Sequence, residues 1–405
     1  MQSQPASPPG RDTPPGRDTR RWLSVRRLLA ECRHELGLAA AGLYPGVPRV
    51  AGTGLLCRPE WLPGSPLDIA AIPLRWRQDP PEPAWSATGP AAGHVLPPRA
   101  GDGGSAVARY DSYASAVGAL DRPALYQDRV CYRLLGARLA GAPGMTFGRC
   151  GYFDGVSPGG AVAHGFAAAL ADPPGQVAGP PFRPPGLDGL PLRTAAGDPC
   201  DLPRRHALVA VTTLTLRRGT AGSASFLLHW RDPALVNHGG GTLMAMPAGI
   251  FQPVAGTPES VRADFSLWRC MAREFSEELL GSSEEYPVSD GVLDYDGWEF
   301  HARLARAREA GSLIVRCLGV GVDPLTLATD ILTVAVFDGD VFDDLFAGLV
   351  RRNAEGRLFS DENGSAAIGF TEANVDRFSG GREPAQAAAA ALLRLAWHHR
   401  RDLLG

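Results

Sequence analysis

Apolar positions change their period along the chain, and each change predicts an element. In "RRWLSVRRLLAECRHELGLAAAG", Trp22, Val25, Leu28, Leu29, Cys32 and Leu36 recur three or four apart, and the arginines lie mostly opposite. That spacing predicts an amphipathic helix. Residues 44–200 are harder to parse: short apolar runs (67–76, 129–140, 145–156) alternate with Pro/Gly-rich loops, expected near 86–106 and 172–203. Residues 159–171 read as an Ala-rich helix holding His164, whose packing role outweighs a catalytic one. From 206 the pattern sharpens. Segments 206–219, 223–232, 312–322 and 330–338 read as strands, and 242–254 as an extended segment bent at Pro247 and Gly249. Residues 339–352 and 384–404 read as helices, the latter carrying its cationic residues towards its C-terminal end, where the helix dipole favours them.

Residues 261–281 predict one long helix. Val261, Phe265, Trp268, Ala272, Phe275 and Leu279 form its apolar stripe. Strands, a helix, more strands and a final helix make an α/β layered unit, with an α+β region before it. The expected division is a disordered tail at 1–20, an N-terminal region of unassigned role at 21–203, and a second unit at 204–405. The tail holds "PPGRDT" twice, at 8–19, a composition that buries no apolar area.

Composition refines this picture. With 405 residues, 44% hydrophobic and 20% charged, the chain can bury a sizeable core. A net charge of −3 gives no global pull towards nucleic acid, so nucleic acid is not an expected partner. All 40 basic residues are arginine, beside 49 Gly and 36 Pro, so the arginines follow a compositional bias rather than 40 selected phosphate contacts. Seven cysteines lie scattered, none at C-x-x-C spacing, which fits free thiols in a reducing compartment. No apolar run of 18 residues and no signal core occur, so no membrane association is expected and the cytoplasm is the expected location. A homodimer stays open.

The chemistry concentrates in "MAREFSEELLG". On a helix, Glu274 lies one turn from both Glu277 and Glu278, so three carboxylates share a flank beside the buried stripe. Like charges at that spacing cost a few tenths of a kcal/mol, about 0.2–0.5. Arg273 offsets some of this; a divalent cation would offset more. A salt-bridged, solvated helix is the plain alternative.

The ordered run R-E-F-S-E-E resembles the core of the Nudix box, G-x5-E-x7-R-E-U-x-E-E-x-G-U. Arg273, Glu274, Phe275, Glu277 and Glu278 fall on its R, E, U, E and E positions. "MPAGIFQP" resembles the P-x-G segment that precedes the box in many members, and the order of elements over 205–405 resembles the Nudix α/β/α sandwich. The resemblance implies a metal-dependent hydrolase that binds Mg²⁺ or Mn²⁺ and cleaves a diphosphate linkage in a nucleotide derivative. By position, Glu274, Glu277 and Glu278 would be metal ligands, with Glu274 a ligand or water-activating base and Arg273 orienting the glutamates. Gly249, and Arg231 in "HWRDP", would meet the substrate; Arg231 is otherwise a strand-end residue. A further downstream acid is expected at Glu372, or else at Asp361 or Glu362, although Glu372 also reads as the first turn of a short helix capped by Thr371. The chain departs from the box at three places. Phe265 stands where Glu is wanted, with Asp264 one residue off and expected to point elsewhere; Glu259 stands for Gly; and Gly281 comes one place late, after Leu280. These departures keep open a second reading, a catalytically silent nucleotide-binding sensor or regulator. "HGGG" at 238–241 resembles an esterase oxyanion loop but lacks an elbow serine.

Overall fold

The structure is a computed structural model that describes residues 16–87, 92–99, 109–123, 126–171, 181–183, 185–233, 235–236, 239–282, 286, 288–289, 291–353, 355–360 and 364–405. The chain is a mixed α/β protein. It runs through α1 (Arg17–Glu31), α2 (Arg33–Ala41), β1 (Leu67–Asp68), β2 (Leu74–Trp76), α3 (Tyr113–Leu120), β3 (Val130–Arg138), β4 (Gly144–Gly151), α4 (Tyr152–Leu170) and α5 (Pro191–Ala196). Then follow β5 (Val209–Arg218), β6 (Ala224–Phe226), β7 (Leu228–Arg231), β8 (Leu243–Ala245), β9 (Ala248–Ile250), α6 (Pro258–Ala263) and α7 (Leu267–Glu274). The remainder is β10 (Val288–Ser289), β11 (Val292–Leu293), α8 (Glu299–Glu309), β12 (Leu313–Val322), β13 (Thr329–Phe337), α9 (Gly339–Leu345), β14 (Gly356–Leu358), β15 (Ile368–Gly369), α10 (Glu372–Ser379), α11 (Ala387–His398) and α12 (Arg400–Leu404).

The main sheet has seven strands in the order β1-β12-β13-β5-β6-β15, with β9 also paired to β5. β13 and β5 run parallel; the other pairs in this sheet are antiparallel. β13 is buried at nearly every successive position, as a strand covered on both faces must be. α7 packs on β5 and β9, α8 on β12, and α11 on β5, β12 and β13. Phe275 meets Phe337 of β13 edge to face and tilts against Phe346, anchoring the box segment to the sheet.

The expected division at 203/204 crosses this sheet. β1, from the first half, is the edge strand on β12, and its Asp68 takes ion pairs from Arg308 and Arg316 at 2.6 Å each. One apolar cluster runs from Trp22 to Leu403. α1 starts at Arg17, inside the segment expected to be disordered; residues 1–15 lie outside the described residues. The loop expected at 172–203 holds α5. The single strand expected at 223–232 is two, β6 in the main sheet and β7 paired with β8 and β14.

The long helix expected at 261–281 is broken, and its caps explain why. Thr257 Oγ1 accepts from the N–H of Ser260 at 3.2 Å with Pro258 following it, and Ser266 Oγ accepts from the N–H of Arg269 at 3.4 Å. Each is an N-cap, so the segment starts twice. α7 then widens into a π-helical turn, Phe275–Leu279. Among the described residues no helix is long and apolar enough to cross a membrane.

Candidate functional site

The break in the helix builds the support of the site. Asp264, in the kink, does not point elsewhere: it faces Arg273 at 3.3 Å, with side chains 0% and 5% exposed. It also accepts from the Val254 N–H at 2.9 Å, the Ser260 hydroxyl at 2.8 Å and the Tyr295 hydroxyl at 2.6 Å. Residue counting on a continuous helix gave the wrong direction, because the chain turns between α6 and α7. Arg273 donates to the Gln252 carbonyl at 2.6 Å and to the Tyr295 hydroxyl. It thus ties α7 to the segment leaving β9.

The glutamates face β9 itself. Glu278 Oε1 accepts the Ala248 N–H at 3.0 Å, while Oε2 is buried with no hydrogen-bond partner. Glu274 lies over Gly249 so closely that a Cβ there would stand 1.9 Å from its carboxyl carbon. Glycine is therefore what lets the carboxylate approach the strand. Glu277 accepts a hydrogen bond from the Tyr286 hydroxyl. The π turn places this set: it closes i→i+5 rather than i→i+4, and such turns are frequent at functional sites. It buries Glu278 and leaves Glu274 and Glu277 half-buried.

The electrostatics follow from burial and like charge. Burial pushes Glu278 up to about 8, with Glu355 adding to it. Burial, then Glu277 and Glu278, hold Glu274 well above the usual carboxylate range. Glu355 is the acid that sequence reading missed. It sits in the turn before β14, accepts from Arg231 at 2.9 Å, and carries no motif that marks it. Arg231, 12% exposed, also reaches the Met244 sulfur at 3.6 Å.

Arg231, Gly249, Arg273, the three box glutamates and Glu355 all line one cleft of about 1220 Å³. α1 and α4 of the first half line it too. Glu372 does not line it: it is exposed in the first turn of α10, where Thr371 Oγ1 accepts the Asn374 N–H at 3.3 Å. Asp361, Glu362 and His238 lie outside the described residues. His164 is buried, stacked on Trp22 and 3.2 Å from the Tyr113 hydroxyl, away from the glutamates.

The cleft donors are carboxylate oxygens, the chemistry a hard divalent cation takes, and the orphaned Glu278 Oε2 is a donor with no protein partner. Among the described residues no three His, Cys, Asp or Glu side chains are grouped to hold a metal as they stand.

Two expected results arise here. Gly249→Ala forces Glu274 off the strand, so any metal-dependent turnover should fall by about 10²-fold while the melting temperature moves little; such turnover left unchanged in a steady-state assay would show that Glu274 need not sit there. The second concerns pH. Glu278 binds its proton more tightly folded than unfolded, so its contribution to stability is full below its ordinary value near 4.5 and is lost as pH rises towards 8. Buried His164 and His229, lowered to about 3 and about 4 by burial, act oppositely, but above pH 6.5 each has only about 0.4 kcal/mol left to gain, less than Glu278 loses there. Urea midpoints should therefore fall from pH 6.5 to 8, and a flat or rising series would contradict the assignment.

No family model and no curated protein matches the chain. Among solved structures it is similar to a Nudix hydrolase from Alicyclobacillus acidocaldarius, at 20% identity and a TM-score of 0.25, over 46% of this chain and 89% of that one. A superposition this loose says nothing of this chain's activity.

Proposed function

We propose that this protein is a metal-dependent hydrolase of the Nudix type that cleaves a diphosphate linkage in a nucleotide derivative. The observation that carries the reading is the pair Glu274 and Glu278. Two carboxylates packed against β9 in a ligand-sized cleft, both held towards protonation and one with an orphaned oxygen, cost stability that a fold alone does not require. Their order in R-E-F-S-E-E supports the same reading.

In this reading Glu274, Glu277 and Glu278 would hold Mg²⁺ or Mn²⁺, which would neutralise phosphate oxygens and acidify water. Glu274 is either a further ligand or the group that takes the proton of the attacking water. Arg273 and Asp264 fix the segment leaving β9 against α7 so that the carboxylates keep their aim. Arg231, at the cleft wall, meets the diphosphate, and Gly249 admits Glu274.

One observation favours a second reading, a silent nucleotide-binding module. Glu277 is engaged by Tyr286, and the carboxylates are not gathered as a three-ligand group among the described residues. The two readings separate on a panel of nucleoside diphosphate derivatives assayed for phosphate or nucleotide release with Mg²⁺ and with Mn²⁺. Metal-dependent release supports the hydrolase. No turnover, with thermal stabilisation by the same nucleotides retained, selects the binding module.

A further inference from the structure

The cleft floor carries a carboxyl for which the proposed hydrolysis has no use. Asp330, on β13, lines the cleft with Ala210 and Thr212 of β5 and Ala248 and Ile250 of β9. It is half-buried, beside Ala210 in the parallel register, and its Oδ1 accepts the Thr212 hydroxyl at 2.7 Å. Thr212 stands opposite Ala248, the residue whose N–H holds Glu278. Asp330 therefore lies two strand spacings, about 10 Å, from the strand that holds the box glutamates.

Among the described residues no ion pair is made by this acid. Burial pushes it up to about 7, and the charged group acting on it is Asp323, another carboxylate. Asp323 is itself turned to the N–H groups of Leu325 and Thr326, at 2.7 and 3.0 Å, and holds their turn. Thr212 satisfies one oxygen of Asp330 and supplies no charge. A carboxylate placed on a cleft wall without a cation is costly unless something entering the cleft donates to it.

We propose that Asp330 is a ligand-binding residue that accepts the N–H edge of a nucleobase. The inference rests on the nucleotide reading above and goes beyond it by naming the base-binding residue. The distance decides for base over sugar. With phosphates at Glu274 and Glu278, the ribose hydroxyls stay near the phosphate end, and the base edge is what reaches across two strands. Ala210 and Ile250, paired across β5 and β9, form an apolar surface between the two ends on which a planar ring can lie. A carboxylate matches adjacent N–H donors two to two, so the preferred base offers both a ring N–H and an amino group.

The test is calorimetric titration of the full chain, in EDTA, with guanosine and inosine, which differ by that amino group and carry no phosphate that would need a metal. The wild type should bind guanosine more tightly by about 10-fold or more. Asp330→Asn should erase the preference and raise the melting temperature of the ligand-free protein, because it removes a half-buried charge that no cation offsets among the described residues. Equal binding of the two by the wild type, a preference that survives in Asp330→Asn, no binding of either, or a lowered melting temperature would each overturn the assignment. Base preference is read here without metal or turnover. A chain that shows it yet hydrolyses nothing loses the hydrolase reading alone, and one that hydrolyses without it loses only this inference.

Discussion

Arg273→Met should destabilise the protein by about 3–5 kcal/mol, the largest stability effect expected of a single change in this site. The loss comes less from the missing attraction than from what stays behind: Asp264, 0% exposed, becomes a buried carboxylate with no cation. The Gln252 carbonyl and the Tyr295 hydroxyl lose their donor in the same step. Urea unfolding at pH 7 reads the effect. A double-mutant cycle with Asp264→Asn refines it, because neutralising the acid should recover part of the loss, and the two changes should therefore fall short of additivity. A cost under about 1 kcal/mol, the range of a surface ion pair, would mean that the pair does not hold α7 to the segment after β9.

Glu274→Gln and Glu278→Gln should do the reverse: lower metal-dependent turnover by roughly 10²–10⁴-fold and leave stability unchanged or raised at pH 8. Glutamine keeps an oxygen for the Ala248 N–H and removes a charge that burial opposes. Opposite signs in the two measurements separate a residue kept for chemistry from one kept for the fold. Turnover that survives both substitutions would place the chemistry elsewhere. Loss of turnover with a matching loss of stability would assign the glutamates to packing. Magnesium should raise the melting temperature of the wild type, and the gain should shrink in both variants.

The sequence carried the strands of the second half and the apolar stripe of the box segment, because those signals are local: β5, β12 and β13 follow from runs of Val, Leu, Ile and Thr, and Phe275 and Leu279 are buried as their spacing requires. It did not carry the kink. Thr257-Pro258 and Ser266 are both legible as caps, yet the stripe runs through them and suggests one helix. The displaced glycine has a physical source in the π turn. A wider turn takes one more residue before it closes, and the left-handed Gly281, at φ +67°, comes after Leu280 instead of in its place. Asp264 likewise looked misplaced only while the helix was assumed continuous. Glu355 and Asp330 could not be found by motif. Each reaches the cleft through pairing set far away in sequence, β14 on β7 and β13 on β5. Glu372 shows the converse, an acid that satisfies a pattern and is placed by Thr371 at an exposed helix start.

The two residues of β1 have a consequence out of proportion to their length. They sit on the outer rim of β12, the last long strand on that side of the sheet, and Asp68 pins them there through Arg308 and Arg316. They interrupt the rim at Arg316 and Cys317, in the middle of β12, where a passing strand would otherwise find a continuous run of amides and carbonyls, the geometry from which sheets grow between molecules. The first half of the chain thus caps part of that rim as well as forming a wall of the cleft. A second half produced alone would bare that rim at Arg316 and Cys317.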